Sequence, residues 1–134
     1  MNEKRNQQPV VVLDASAVLA LLFEEPGHDI VEDYIATSII SSVNISEVIG
    51  RFTRVGRDPK SIIDTMVLGG LEVIDFTMSH AITAAKLLPL TRVKGLSFAD
   101  RACLALAQSK SLTTLTADRA WTSIEAPIDI ELIR

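Results

Sequence analysis

Short runs of β-branched and aliphatic residues alternate with longer amphipathic stretches along almost the whole chain, and this alternation restricts the fold more than any single motif. Strands are expected at 10–14, 39–42, 71–75, 112–116 and 128–133. Helices are expected at 16–23, 28–37, 44–56, 59–67, 78–88, 97–109 and 118–124, with a loop at 89–95. Pro26–Gly27, Gly56 and Gly69–Gly70 supply the stops between them. A strand–helix–strand succession of this kind specifies an α/β fold with a mainly parallel sheet. The core must be aliphatic, because 48% of the residues are hydrophobic but only 4% aromatic. Such a composition suits strands covered by helices on both faces.

The 134 residues fit one domain, 9–134, preceded by a polar extension over 1–8. Helix 97–109 has the strongest pattern, with Phe98, Cys103, Leu104 and Ala107 assigned to its apolar side. The single cysteine, Cys103, rules out an intrachain disulfide and reads as a small buried hydrophobe, in keeping with a reducing, cytoplasmic setting. Lys4 and Arg5 ahead of an apolar run faintly resemble a signal peptide. Asp14 interrupts that run, and its longest uninterrupted apolar piece, 17–23, is too short for a bilayer. No membrane role is therefore expected.

Four acids stand where strands exit and helices begin. Asp14 ends the first strand, Glu47 lies one turn into the helix after the second, Asp100 is in the first turn of helix 97–109, and Asp118 follows the fourth strand. In open parallel sheets those positions share one rim, beyond the carboxyl ends of the strands. Each acid alone has an ordinary role as a helix cap; Asn44-Ile-Ser-Glu47 and Ser97-Phe-Ala-Asp100 both have capping-box spacing. Four together concentrate negative charge for which stability offers no reason. A hard divalent cation, Mg²⁺ or Mn²⁺, does offer one. Neither His28 nor His80 is placed for a zinc site; surface or capping roles suit both.

Ser16 and Thr116 lie two residues from Asp14 and Asp118 and share their faces. They could touch a metal-bound water or a phosphate, or simply bond locally. Arg51 and Arg54 share the helix side of Glu47, and Arg101 flanks Asp100, so all three are candidates to hold phosphate. Net charge is −4, unlike a non-specific nucleic-acid binder. Phosphate-binding loops, GxGxxG and GxSxG motifs are all missing.

The segments VVVLDASAVLALL, SSVNISEV, GLSFADRACLALA and LTTLTADRAW together resemble the motifs of the PIN-domain family, and specifically the VapC-type toxins of bacterial toxin–antitoxin pairs. The similarity runs from Val10 through nearly the whole chain. It implies a three-layer α/β/α sandwich with a five-stranded parallel sheet. It also implies a Mg²⁺- or Mn²⁺-dependent endoribonuclease acting on a structured RNA such as tRNA or rRNA, with Asp14, Glu47, Asp100 and Asp118 as catalytic acids. Asp14, Asp100 and Asp118 would hold the metal. A homodimer and a cognate antitoxin are the implied protein partners. Helices 28–37 and 59–67 carry more Ile, Val and Met than one buried face needs, which also suggests self-association unless the two sides of the sheet consume them. Two departures from the motif set are the polar extension and the lack of a further acid at Arg119, Ala120 or Trp121. The competing expectations are a non-catalytic module whose acidic cleft docks a basic peptide and, last, a small-molecule phosphatase, for which Ser16 stands where a second acid is needed.

Overall fold

The computed structural model describes residues 8–134, so all but the last residue of the expected extension 1–8 lies outside the described residues. Five strands form a single sheet: β1 (Val11–Leu13), β2 (Ser38–Ser41), β3 (Glu72–Ile74), β4 (Thr113–Thr116) and β5 (Ile130–Leu132). Their order is β3-β2-β1-β4-β5, and every neighbouring pair is parallel. The helices are α1 (Ala15–Leu22), α2 (His28–Tyr34), α3 (Ser42–Arg54), α4 (Pro59–Leu68), α5 (Met78–Lys86), α6 (Leu88–Thr91) and α7 (Phe98–Lys110).

Alternation along β1 builds the three layers. Val11 and Leu13 face one side, where Ala17 and Val18 of α1, Val31 of α2, Val48 and Phe52 of α3 and Met66 of α4 bury them. Val12 faces the other, against Cys103, Leu104 and Ala107 of α7. All three β1 residues are buried, as a strand covered on both faces requires. The expected three-layer α/β/α sandwich is therefore the fold observed.

Chain order runs outward from β1 through β2 to β3, then returns past both to place β4 on the other side of β1. The order reverses between β1 and β4, the switch point beyond whose carboxyl ends open α/β sheets bind their ligands. Two glycines permit close approach of the connections. Gly27 (φ +95°) lies against the backbone of Ile133, and Gly70 (φ +117°) would bring an added Cβ to 2.6 Å from Cα of Ala36.

Several expectations need correction. The loop expected at 89–95 holds α6 and a 3₁₀ turn, Arg92–Lys94; Pro89 sits in the first turn of α6, where a missing N–H costs little. The helix expected at 118–124 is a 3₁₀ turn, Arg119–Ser123. Helix α3 begins at Ser42 with Ser41 as its cap, so Asn44 is an interior helix residue and 1% exposed. Phe98 is 51% exposed, although Cys103, Leu104 and Ala107 are buried. At about 100° per residue Phe98 lies roughly opposite Ala107. Ile30 and Tyr34 of α2, Ile35 just beyond it and Ile62 and Ile63 of α4 are partly buried against the first core, whereas Leu68 at the end of α4 is 69% exposed. Among the described residues no helix is long and apolar enough to cross a membrane.

Candidate active site

Asp14 leaves β1 at the switch point and caps α1, its Oδ1 accepting from the Ala17 N–H at 2.8 Å. It is only 5% exposed. Two hydroxyls complete its surroundings. Ser16 Oγ lies 2.7 Å from Oδ1, and Thr116 Oγ1 donates to Oδ2 at 2.6 Å. Ser16 Oγ accepts from the Ala117 N–H (2.9 Å), and Thr116 Oγ1 from the Asp118 N–H (3.0 Å). Each hydroxyl has one proton, and the backbone donor behind it turns that proton toward Asp14. Ser16 and Thr116 thus grip the carboxylate: their protons go to the Asp14 side chain, which for Thr116 is 102 residues away, rather than to a neighbouring backbone group. Burial pushes Asp14 up to about 6, even though the donors from Thr116, Ala17 and Ser16 pull the other way. The charge of Asp100 adds to the rise.

Asp100 caps its own helix. Ser97 accepts from the Asp100 N–H (3.2 Å) while Asp100 Oδ2 accepts from the Ser97 N–H (2.9 Å). This capping box has the sequence-predicted spacing, and it leaves Oδ1 uncommitted. Burial raises the Asp100 carboxyl; the Ser97 bonds oppose it, Asp118 adds to it and Arg101 opposes it. Asp118 caps the following 3₁₀ turn through the Ala120 N–H (3.0 Å) and is exposed. Glu47 receives the Asn44 amide on Oε1 at 3.1 Å. Partial desolvation raises its carboxyl, Asn44 lowers it, and Asp100 raises it again.

These influences map the cluster. Asp100 acts on Asp14 and on Glu47, and Asp118 acts on Asp100. Beneath them Cys103 packs against the Leu13 carbonyl (3.8 Å), and burial, reinforced by Asp14, Asp100 and Glu47, drives its thiol far up. The thiol is a buried hydrophobe, as expected, and its three charged neighbours mark the rim above it. The acids cap local elements and also face one end of the sheet; the two roles coexist.

Asn44 is a site residue that the sequence pattern does not single out. Its Nδ2 bonds Glu47 and also the Ala99 carbonyl at 2.9 Å, joining α3 to the first turn of α7. The signal is an Asn three residues before Glu47, a spacing that in sequence reads as a cap. His80, expected in a surface or capping role, caps α5 with Thr77 and is buried against Phe76.

The basic residues lie apart from direct pairing. Arg51 covers the Phe23 ring at 5.6 Å and Arg54 is exposed at the end of α3. Arg101 sends Nη1 to the Leu96 carbonyl at 3.4 Å and stands 6.0 Å from the Phe98 ring centre. The ion pairs among the described residues are Lys60–Asp64 and Glu25–Arg134, so none of the four acids is neutralised by a basic side chain there. Nor do any three His, Cys, Asp or Glu side chains, among the described residues, close into a group able to hold a metal ion. An all-oxygen set of this openness suits Mg²⁺, which retains waters and is held by one or two carboxylates rather than a protein cage.

A family model described as PIN domain matches residues 11–126. Comparison with curated protein sequences returns no match. Among solved structures the chain resembles DNA-bound VapBC from Salmonella typhimurium (TM-score 0.73, 20% identity, 95% of this chain and 100% of that one). VapBC2 from Rickettsia felis, bound to a promoter DNA fragment, is similar over 92% of this chain and 98% of its own (TM-score 0.70, 17% identity). A toxin–antitoxin complex from Klebsiella pneumoniae gives TM-score 0.67 at 18% identity over 90% and 99%.

Proposed function

Since the chain belongs to the PIN-domain family, we propose that it is a Mg²⁺- or Mn²⁺-dependent endoribonuclease, the toxin of a toxin–antitoxin pair, hydrolysing structured RNA to 5′-phosphate and 3′-hydroxyl ends. The observation that carries this reading is Asp14: a carboxylate seated at the sheet's switch point, desolvated, gripped by three donors and, among the described residues, paired with no basic side chain. Keeping it there is costly unless a positive charge joins it.

In this reading Asp14, Asp100 and Asp118 would hold the metal, some directly and some through its waters, and the ion would supply Lewis acidity to the phosphate and a more acidic water. Ser16 and Thr116 keep Asp14 oriented. Glu47, with Oε1 occupied by Asn44, retains Oε2 to take a proton from the attacking water. Arg51, Arg54 and Arg101 engage RNA phosphates. The protein partners are a cognate antitoxin and a second copy of the chain, supported by the complexes named for its structural neighbours and by the motif resemblance respectively. The same open acidic cleft would accept a basic peptide without turnover, and the test separates the two.

Candidate tRNA and rRNA are incubated with Mg²⁺, Mn²⁺ or EDTA and the new ends mapped. Asp14→Asn and Asp100→Asn are each expected to lower cleavage by about two orders of magnitude or more, exceeding the usual cost of an outer-sphere change. Undiminished cleavage in EDTA, or 2′,3′-cyclic phosphate ends, overturns the metal-hydrolysis reading. Lack of Mn²⁺ binding by the intact chain favours the peptide-docking alternative.

A further inference from the structure

The residue that departs most from its sequence pattern is Phe98. Of the four phenylalanines it alone is exposed, at 51%, whereas Phe52 is buried and Phe23 and Phe76 are partly covered. It opens α7 and meets Phe76, which follows the end of β3, so the ring stands at the carboxyl end of the sheet, the end at which the acids lie. Half of the ring stays in water, surface that burial would have used, and aromatic rings left so are among the groups proteins use for recognition. The ring is nonetheless held in place. Phe76 meets it edge to face, centroids 5.6 Å apart at 74°, and the Arg101 guanidinium lies over one face, 6.0 Å from the ring centre, so a base would stack on the opposite face. Phe76 is itself fixed, its N–H donating to Ser42 Oγ at 3.0 Å.

Positive charge accompanies the ring. Arg92 and Lys94 are exposed on the 3₁₀ turn that leads into α7, and Arg101 follows one turn later. An anchored aromatic ring with cations on its own helix and on the segment leading into it is the combination by which proteins hold single strands: bases stack on the ring and the phosphates meet the cations. Stacked duplex RNA keeps its base faces covered, so only loops, bulges and ends present one.

We propose that Phe98 is a stacking platform for an unpaired nucleobase of the RNA substrate, positioned by Phe76 and Arg101 at the same end of the sheet as the carboxylates. This rests on the ribonuclease reading and deepens it: Phe98 restricts cleavage to sites where a base is out of the helix, with Arg92 and Lys94 holding the adjoining phosphates.

The test is binding without turnover. A labelled single-stranded RNA hexamer and a matched all-abasic strand are titrated in EDTA at low ionic strength against wild type, Phe98→Ala, Phe98→Leu and Phe98→Trp, with anisotropy as the signal. Phe98→Ala and Phe98→Leu are expected to weaken the base-bearing strand by about 5- to 150-fold, whereas Phe98→Trp retains it. The abasic strand should bind all four proteins alike. Leu preserves apolar bulk without a π face, so its failure cannot be ascribed to lost packing. Equal affinity of all four proteins for the hexamer, binding by none of them, or an equal loss on the abasic strand overturns the proposal. The last of these points instead to a seat for a protein partner or to altered fold. Cleavage plays no part in the measurement, so an absence of metal-dependent ribonuclease activity would count against the enzymatic reading alone.

Discussion

Asp14 sets the chemistry at the scale of a single residue. Its three donors favour the carboxylate, burial favours the neutral acid, and burial wins, leaving the group at about 6 against an ordinary 3.8. Between those values the folded chain holds the proton more tightly than the unfolded chain. The stabilisation is therefore complete below 3.8 and is lost as pH rises through 6. An elevation of that size is worth about 3 kcal/mol at neutral pH. Asparagine can replace this acid without orphaning its neighbours: Oδ1 still accepts from Ala17 and Ser16, the new NH₂ donates to the free lone pair of Thr116, and the Thr116 proton turns to Ser16 Oγ, 3.4 Å away. In EDTA, Asp14→Asn should melt above wild type at pH 7.5, with the gap closing toward pH 4. Saturating Mg²⁺ should narrow the gap at pH 7.5, because only the wild type gains a bound cation. A wild type that is the more stable protein at pH 7.5 in EDTA would contradict the assignment of Asp14 as an uncompensated buried charge.

At the scale of elements, much of the architecture is legible in the sequence because the signals are local. Ser97 and Asp100 are three residues apart, and nothing distant is needed for them to close their box. The β-branched runs that form β1 and β4 lead into acids, and an acid at a strand exit caps the helix or turn beyond it. The start of α3 is not legible for the opposite reason. Ser41, Ser42 and Asn44 are all competent caps, and the choice among them is made by a tertiary partner, the Ala99 carbonyl, 55 residues away. Phe98 escapes the pattern because an apolar residue in an apolar helix reads as core, though its angular position opposes the buried face. The α3–α7 joint at Asn44 carries its own prediction. Removing a buried amide that serves two acceptors costs about 1–3 kcal/mol, so Asn44→Ala should lower Tm by about 4–12 °C. Ser46→Ala, an exposed change on the same helix, should move it little. An Asn44→Ala melting curve that overlies the Ser46→Ala curve would show that the joint contributes nothing.

For the molecule as a whole, convergence of the acids is a product of topology: β4 returns to the far side of β1, and so Thr116 meets Asp14 across 102 residues of sequence. The same whole-molecule view raises a difficulty for any RNA-binding role, since the chain carries a net charge of −4. Attraction must be local, and its extent is measurable. Single-stranded RNA gives a slope of about −0.7 in log K against log[salt] for each phosphate neutralised. If a hexamer lies over Phe98 and meets Arg92, Lys94 and Arg101, the slope should be about −2, a loss of roughly 20-fold between 50 and 200 mM salt. Lys94→Gln should make that slope shallower by about 0.7. Arg51→Gln should leave the hexamer slope unchanged, because Arg51 lies on α3 over Phe23, yet reduce it for a longer structured RNA that reaches that helix. A hexamer slope near zero would remove the cations from the binding account. One that steepens to about −3.5 and responds to Arg51→Gln would instead route the strand across α3, away from the aromatic platform.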